Sequence, residues 1–201
     1  MQELTLSSQS EGKYSEKGST FTALTLPVAS LGQVKNELNN LREQYPDANH
    51  ICYGYRIKEG DRVDEFSTDA GEPKGSSGIP ILNVLKRNQL VNVVIFVIRY
   101  FGGSKLGIPG LINAYGTVSE NAINAGKLKT WVLYQQISIC YNYDLQKKVD
   151  SLLQQFTVNI IKIEFGESIK TNMEVEAGKT DALAQELNEI SNGAIRIKQV
   201  S

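Results

Sequence analysis

The run Val93-Val94-Ile95-Phe96-Val97-Ile98 restricts the fold more than any other stretch of the chain. Six consecutive apolar residues, mostly β-branched and bounded by Asn92 and Arg99, predict a strand buried on both faces. A glycine-punctuated loop lies on either side of it. The first, Gly71–Gly78, reads G-E-P-K-G-S-S-G and runs into the helix-like I-P-I-L-N-V-L-K-R. The second, Tyr100–Gly110, reads Y-F-G-G-S-K-L-G-I-P-G, and a helix pattern begins with Pro109 near its first turn. Both loops are therefore expected to feed helix N-termini, which carry free N–H groups and partial positive charge. Lys74, Arg99 and Lys105 add full charges nearby, an anion-receptive combination. Neither loop is a standard nucleotide loop: Gly102–Gly107 has G-x-x-x-x-G spacing but continues Ile108-Pro109 instead of Lys-Ser/Thr, and no G-x-G-x-x-G occurs. Two readings follow, tight turns that merely join strand to helix, or a binding surface. The binding surface would comprise Glu72, Lys74, Gly75, Ser76, Ser77 and Gly78 from the first loop. From the second it would take Arg99, Tyr100, Gly102, Gly103, Lys105 and Gly107.

Charge argues mainly by exclusion. Residues 1–131 sum to +1 and residues 132–201 to −2, so the overall field is too weak to hold nucleic acid by itself. Any RNA contact has to be a local patch. The longest apolar run, six residues, is far short of the roughly 20 that a membrane helix needs. The N-terminal M-Q-E-L-T-L-S-S has no basic region followed by an apolar one, so no signal peptide is expected and the cytoplasm is the simplest location. Cys52 and Cys140 lie in separate strand-like runs and read as buried thiols.

Taken in order, residues 1–18 are polar and suit a short edge strand and a turn. F-T-A-L-T-L at 21–26 alternates as a strand does. Ser30 opens a helix with Gln33 completing a capping box, and Leu31, Val34, Leu38 and Leu41 recur at helical spacing. H-I-C-Y-G-Y-R-I at 50–57 is a further strand, and Glu59–Asp69 a charged connection, either a hairpin tip or an open loop. After the two loops, Leu111, Tyr115, Val118 and Ala122 form one helical stripe ending near Gly126, and 127–131 read as a link. Two domains are expected, 1–130 and 131–201. The second shows strands at Val132–Cys140, Thr157–Phe165, Ile169–Val175 and Ala194–Val200, with helical stripes at Leu145–Leu153 and Leu183–Ile190. That order, β-α-β-β-α-β, is the ferredoxin-like plan, and the fold class is α+β.

The chemistry-bearing residues are sparse. Asp64, Glu65, Asp69 and Glu72 form the densest acidic group, either a cation site or a solvated run. Glu72, in a constrained G-E-P turn, is expected to accept backbone N–H bonds and shape its loop. His50 is the sole histidine, and Ser76, Ser77 and Ser104 are nucleophiles only in principle because none lies in a G-x-S-x-G elbow. No cofactor motif or metal-ligand spacing is present in the sequence. Tyr100, Phe101 and Tyr115, with Tyr53 and Tyr55, either stack on bases beside Arg99 and Lys105 or pack the core, with packing favoured for Phe101 and Tyr115.

D-A-G-E-P-K-G-S-S-G-I-P at 69–80 and V-I-R-Y-F-G-G-S-K-L-G-I-P-G-L-I-N-A-Y-G at 97–116, with H-I-C-Y-G-Y at 50–55, closely resemble the IMPACT (YigZ-like) family. The resemblance implies an N-terminal domain of the ribosomal-protein second-domain type. It also implies a C-terminal ferredoxin-like domain similar to the last domain of elongation factor G. The chain departs from the family pattern at Ala70, usually acidic, and at Pro109, usually glycine; both changes weaken a metal or anion site. Eukaryotic relatives regulate translation, largely through an additional N-terminal domain, and some members are labelled dipeptidases. What the resemblance implies here is a non-enzymatic module contacting RNA, ribosomes or a ribosome-associated protein. The alternative is a small hydrolase or phosphate-ligand enzyme with its site between the loops.

Overall fold

A computed structural model describes residues 2–200, so Met1 and Ser201, the outer ends of the two expected domains, lie outside the described residues. The chain divides into two compact units with the boundary between Trp131 and Val132.

In the first unit the apolar run becomes β6 (Val93–Tyr100), the middle of a five-stranded antiparallel sheet. Its neighbours are β3 (Ser19–Pro27) and β4 (His50–Glu59), with β2 (Ser10–Glu16) and β5 (Arg62–Thr68) at the edges. Both faces of this sheet are covered. Val94, Phe96 and Ile98 pack with Val34 and Leu41 of α1 (Leu31–Gln44). Val93, Ile95 and Val97 pack on the other face with α2 (Gly78–Arg87) and α3 (Gly107–Ala125). A strand that alternates between two cores has to be apolar at every position, which accounts for the unbroken run. Each such side chain contributes roughly 1.5–3 kcal/mol by leaving water.

Two expectations are corrected. Residues 127–131 are not a bare link: β7 (Leu128–Thr130) pairs antiparallel with β1 (Leu4–Leu6), tying the end of α3 to the start of the chain. The charged stretch after Glu59 is mostly strand β5, joined to β4 by the two-residue loop Gly60-Asp61, with Gly60 at φ +58°. As expected, Ser30 caps α1 by accepting the Gln33 N–H, while the Gln33 side chain accepts from Ala29.

The second unit runs β8 (Tyr134–Tyr141), α4 (Gln146–Phe156), β9 (Asn159–Phe165), β10 (Ile169–Glu176), α5 (Thr180–Ser191), β11 (Arg196–Val200). Its antiparallel sheet has the order β11-β8-β10-β9, the ferredoxin-like arrangement. Ile137, Ile139, Met173 and Val175 meet Val149, Leu152, Leu183 and Leu187 in its core. Both helices end on a left-handed residue, Thr157 and Asn192, and Gly193 follows at φ +82°. No helix among the described residues is long and apolar enough to cross a membrane.

Candidate functional site

The two-residue period of β6 decides where Arg99 goes. It follows Val97 on the face covered by α2 and α3, and the register seats it between Phe21 of β3 and His50 of β4. The guanidinium is thus carried under the loops, with its side chain only 6% exposed. Glu72 meets it at 2.5 Å and is itself 3% exposed. The Tyr115 hydroxyl of α3 donates to the same Glu72 oxygen at 2.8 Å. Arg99 also donates to Ser19 Oγ at 3.4 Å, and its guanidinium carbon stands 5.4 Å from the Phe21 ring and 5.6 Å from the Phe101 ring. A buried charge persists only when paired, so Arg99 and Glu72 hold each other in place.

Around this pair the remaining polar groups face inward. His50 Nδ1 lies 2.9 Å from the Ala70 carbonyl, which can only accept, so Nδ1 carries the proton. Nε2 then faces Glu72 at 4.0 Å. Cys52 donates to the Asp69 carbonyl at 3.0 Å, and burial pushes its thiol up to about 11. Burial, then Cys52 and Glu72, likewise push the Tyr115 phenol well above its ordinary value.

The first loop is built on Asp69. Its carboxylate accepts from Gly75 N at 2.7 Å, Ser77 N at 3.0 Å, Gly78 N at 2.8 Å and Ser77 Oγ at 2.8 Å. Burial pushes this carboxyl upward, but the hydrogen bonds from Gly75, Gly78 and Ser77 outweigh it and hold the group below its ordinary range. Asp69, not Glu72, therefore shapes the loop. It also takes up the α2 amides that would otherwise receive an external anion, which corrects the expectation of an open cradle there. Ser76 donates its hydroxyl to the Pro73 carbonyl at 2.7 Å, and Ser76, Ser77 and Gly78 are buried. A Cβ at Gly78 would lie 2.8 Å from the Thr68 backbone.

The second loop is held only at its start. Phe101 N donates to Asn49 Oδ1 at 2.7 Å, and Gly102 N donates to Ser19 Oγ at 3.1 Å. Gly102 presses on Gly18 so closely that a Cβ would come within 1.8 Å of backbone. Beyond it Gly103, Ser104, Lys105 and Gly107 are exposed, and no side chain caps α3.

The expected site residues thus fall into two groups. Glu72, Gly75, Ser76, Ser77, Gly78, Arg99 and Gly102 belong to the inward frame. Arg99 is not a surface cation, because Glu72 neutralises it in a dry setting. Lys74, Gly103, Lys105 and Gly107 face solvent, and Tyr100, one residue out of phase with Arg99, points to the other face of the sheet. Of the aromatics read as core, Tyr115 is buried, but Phe101 is 47% exposed, since the loop carries it past the end of the sheet. The acidic group is dispersed: Glu65 pairs with Arg56 and Lys86, away from Glu72. Among the described residues no three metal-ligating side chains converge. Ser19 and Asn49 act in the frame although no sequence pattern marks them, while Cys52 and Tyr115 are buried as their patterns imply and Asp69, read within the acidic group, serves the loop instead. The one readable signal was parity, since counting by twos from Val97 puts Arg99 inside.

Comparison with known proteins covers both units. Residues 17–123, which contain the whole frame from Ser19 to Tyr115, match the family model described as the Impact N-terminal domain. Residues 140–194 match a domain of unknown function, DUF1949. The IMPACT family member YvyE of Bacillus subtilis is 32% identical over 173 residues, 86% of this chain and 79% of that protein. The IMPACT family member YigZ of Escherichia coli is 24% identical over 182 residues, 90% and 89% of the two chains. A crystal structure of a hypothetical protein has a TM-score of 0.72 at 23% identity, covering 100% of this chain and 98% of that one, a likeness of fold.

Proposed function

Because this chain belongs to the IMPACT family, we propose that it is a non-enzymatic module of translational regulation, working in the cytoplasm and binding a ribosomal surface through its two loops. The observation that carries this reading is how the loops divide their groups. Nearly everything reactive is engaged within the protein: the Ser76 hydroxyl by Pro73, the Asp69 carboxylate by loop amides, Glu72 by Arg99 and Tyr115. The Cys52 thiol, raised to about 11, is a poor nucleophile near neutral pH. What faces outward is of another kind: Lys74 and Lys105, with Ile79 at 52%, Phe101 at 47% and Ile108 at 53% exposure. Cations set among apolar side chains suit contact with RNA or a ribosome-associated protein, and they suit hydrolysis poorly, which needs an activated nucleophile or a metal.

Lys74→Ala/Lys105→Ala removes the exposed charge and leaves the buried frame alone. The expected result is an about tenfold drop in ribosome cosedimentation at low salt, with an unchanged melting temperature. Undiminished cosedimentation by the folded variant would overturn the assignment to the loops.

A further inference from the structure

The second unit's sheet carries its helices on one face only. Alternation along β8 sends Ile137, Ile139 and Tyr141 into the core and turns Gln136, Ser138 and Cys140 to the opposite face. On that face the register sets Lys170 and Arg196 on either side of Cys140, and Asn172 and Lys198 on either side of Ser138. β9 adds Glu164 beside Lys170 and Lys162 beside Asn172. Ser138, Cys140, Lys170, Asn172, Arg196 and Lys198, with Ile161, line a depression of about 690 Å³.

Charge is segregated across this unit. The open face carries Lys162, Lys170, Arg196 and Lys198 against Glu164, Glu174 and Glu176, whereas the rest of residues 132–201 holds three Lys and six Asp or Glu. Lys162 is held by Glu164 at 2.7 Å. Arg196 and Lys198 have no carboxylate within 4.0 Å among the described residues. Lys170 lies 4.0 Å from the Glu164 carboxylate, so a net negative unit sets two cations without carboxylate partners, Arg196 and Lys198, over a concave floor of mixed polar and apolar lining. Tyr134, two residues before Gln136 on the same face, is 52% exposed.

We propose that this open sheet face binds single-stranded RNA, resting on the reading above that the protein works on the translation apparatus. Phosphates are met by Arg196 and Lys198 on β11 and by Lys170 on β10, which lies beyond β8 at roughly 10 Å. Unstacked bases meet the amide and hydroxyl groups of Gln136, Ser138 and Asn172, and Tyr134 offers a ring for stacking. A duplex keeps its base edges folded away from such a floor, so the single strand is the occupant that uses both the cations and the polar groups. Binding of this kind is tolerant of sequence and steeply dependent on salt.

Cys140 serves as a built-in reporter, since it is partly exposed at the centre of the face while Cys52 is buried. The experiment uses the full-length protein and a fluorescent oligouridine, with anisotropy read over a range of salt and thiol alkylation followed by mass spectrometry. Arg196→Ala/Lys198→Ala should weaken binding about tenfold and flatten the slope of log affinity against log salt by about 1.4, whereas Lys74→Ala/Lys105→Ala should retain it. Oligouridine should also slow alkylation of Cys140, with Cys52 unreactive throughout. Equal binding by wild type and the Arg196/Lys198 variant, with Cys140 unprotected, would overturn the proposal and leave an RNA contact elsewhere. Preference for a duplex, or ribosome cosedimentation without any oligouridine binding, would likewise overturn it while the translational reading stands. Loss of cosedimentation and oligouridine binding together would remove both.

Discussion

The two larger sheets of this chain treat charge in opposite ways. The five-stranded sheet is covered on both faces, and Arg99, the one cation its central strand carries, is sealed against Glu72 with both side chains under a tenth exposed. The four-stranded sheet is covered on one face, and its cations stand in solvent, with Arg196 and Lys198 left without carboxylates among the described residues. The contrast teaches that a basic residue beside a glycine loop is not thereby a ligand-binding residue. Burial turns it into framework, where its partner matters more than its charge; exposure leaves it free for a polyanion.

That contrast breaks most visibly at Glu72. Glu72→Gln strands a buried guanidinium, and such a loss costs about 3–5 kcal/mol. Urea denaturation should show it as a lower midpoint. Adding Arg99→Met to the Glu72→Gln variant should recover much of the loss, because the uncompensated charge is then gone. A Glu72→Gln protein as stable as wild type would mean the pair is not the keystone of the site.

A smaller effect is expected at Asp69. Asp69→Asn keeps the shape but gives up the charge-assisted bonds from Gly75, Ser77 and Gly78, a loss of about 2 kcal/mol at neutral pH. The sign with pH is fixed by its depressed folded-state value. A carboxyl held below its unfolded value of about 3.9 contributes its full stability above that pH and loses it as pH falls through the folded-state value. The stability gap between wild type and Asp69→Asn should therefore be constant from pH 7 to about pH 5 and close as the solution becomes more acid. A gap independent of pH would assign the effect to shape instead of charge.

How much of this was readable beforehand follows from how local each cause is. The β6 run, the stripes of α4 and α5 and the Ser30 cap are local patterns, and the sequence shows them directly. R-V-D-E-F-S-T does not announce strand β5, because it lies at a sheet edge and has no regular apolar alternation. β7 escaped because its three residues are all exposed and only pairing with Leu4–Leu6 makes them a strand. At the site, the glycine loops were legible as loops, but the division of labour between Asp69 and Glu72 was not. Both acids precede the same helix, and only the strand order β3-β6-β4, which places Arg99 beneath the loops, assigns Glu72 to the ion pair and frees Asp69 for the amides.

The smallest expected effect sharpens the comparison from the other side. If the open face of the second sheet is a surface for binding and not part of its framework, removing its cations should leave folding nearly untouched. Arg196→Ala/Lys198→Ala takes away two exposed side chains on the edge strand β11, and surface changes of this kind usually fall within about 0.5 kcal/mol. A slight gain in stability at low salt is the more telling outcome, since Arg196 and Lys198, two residues apart on one face of β11, repel each other and Lys170 beyond β8 when no anion is present. Such a gain should fade as salt screens the repulsion, and added oligouridine should stabilise wild type more than the variant. A large loss of stability would instead make these cations structural, like Arg99, and erase the difference between the two sheets.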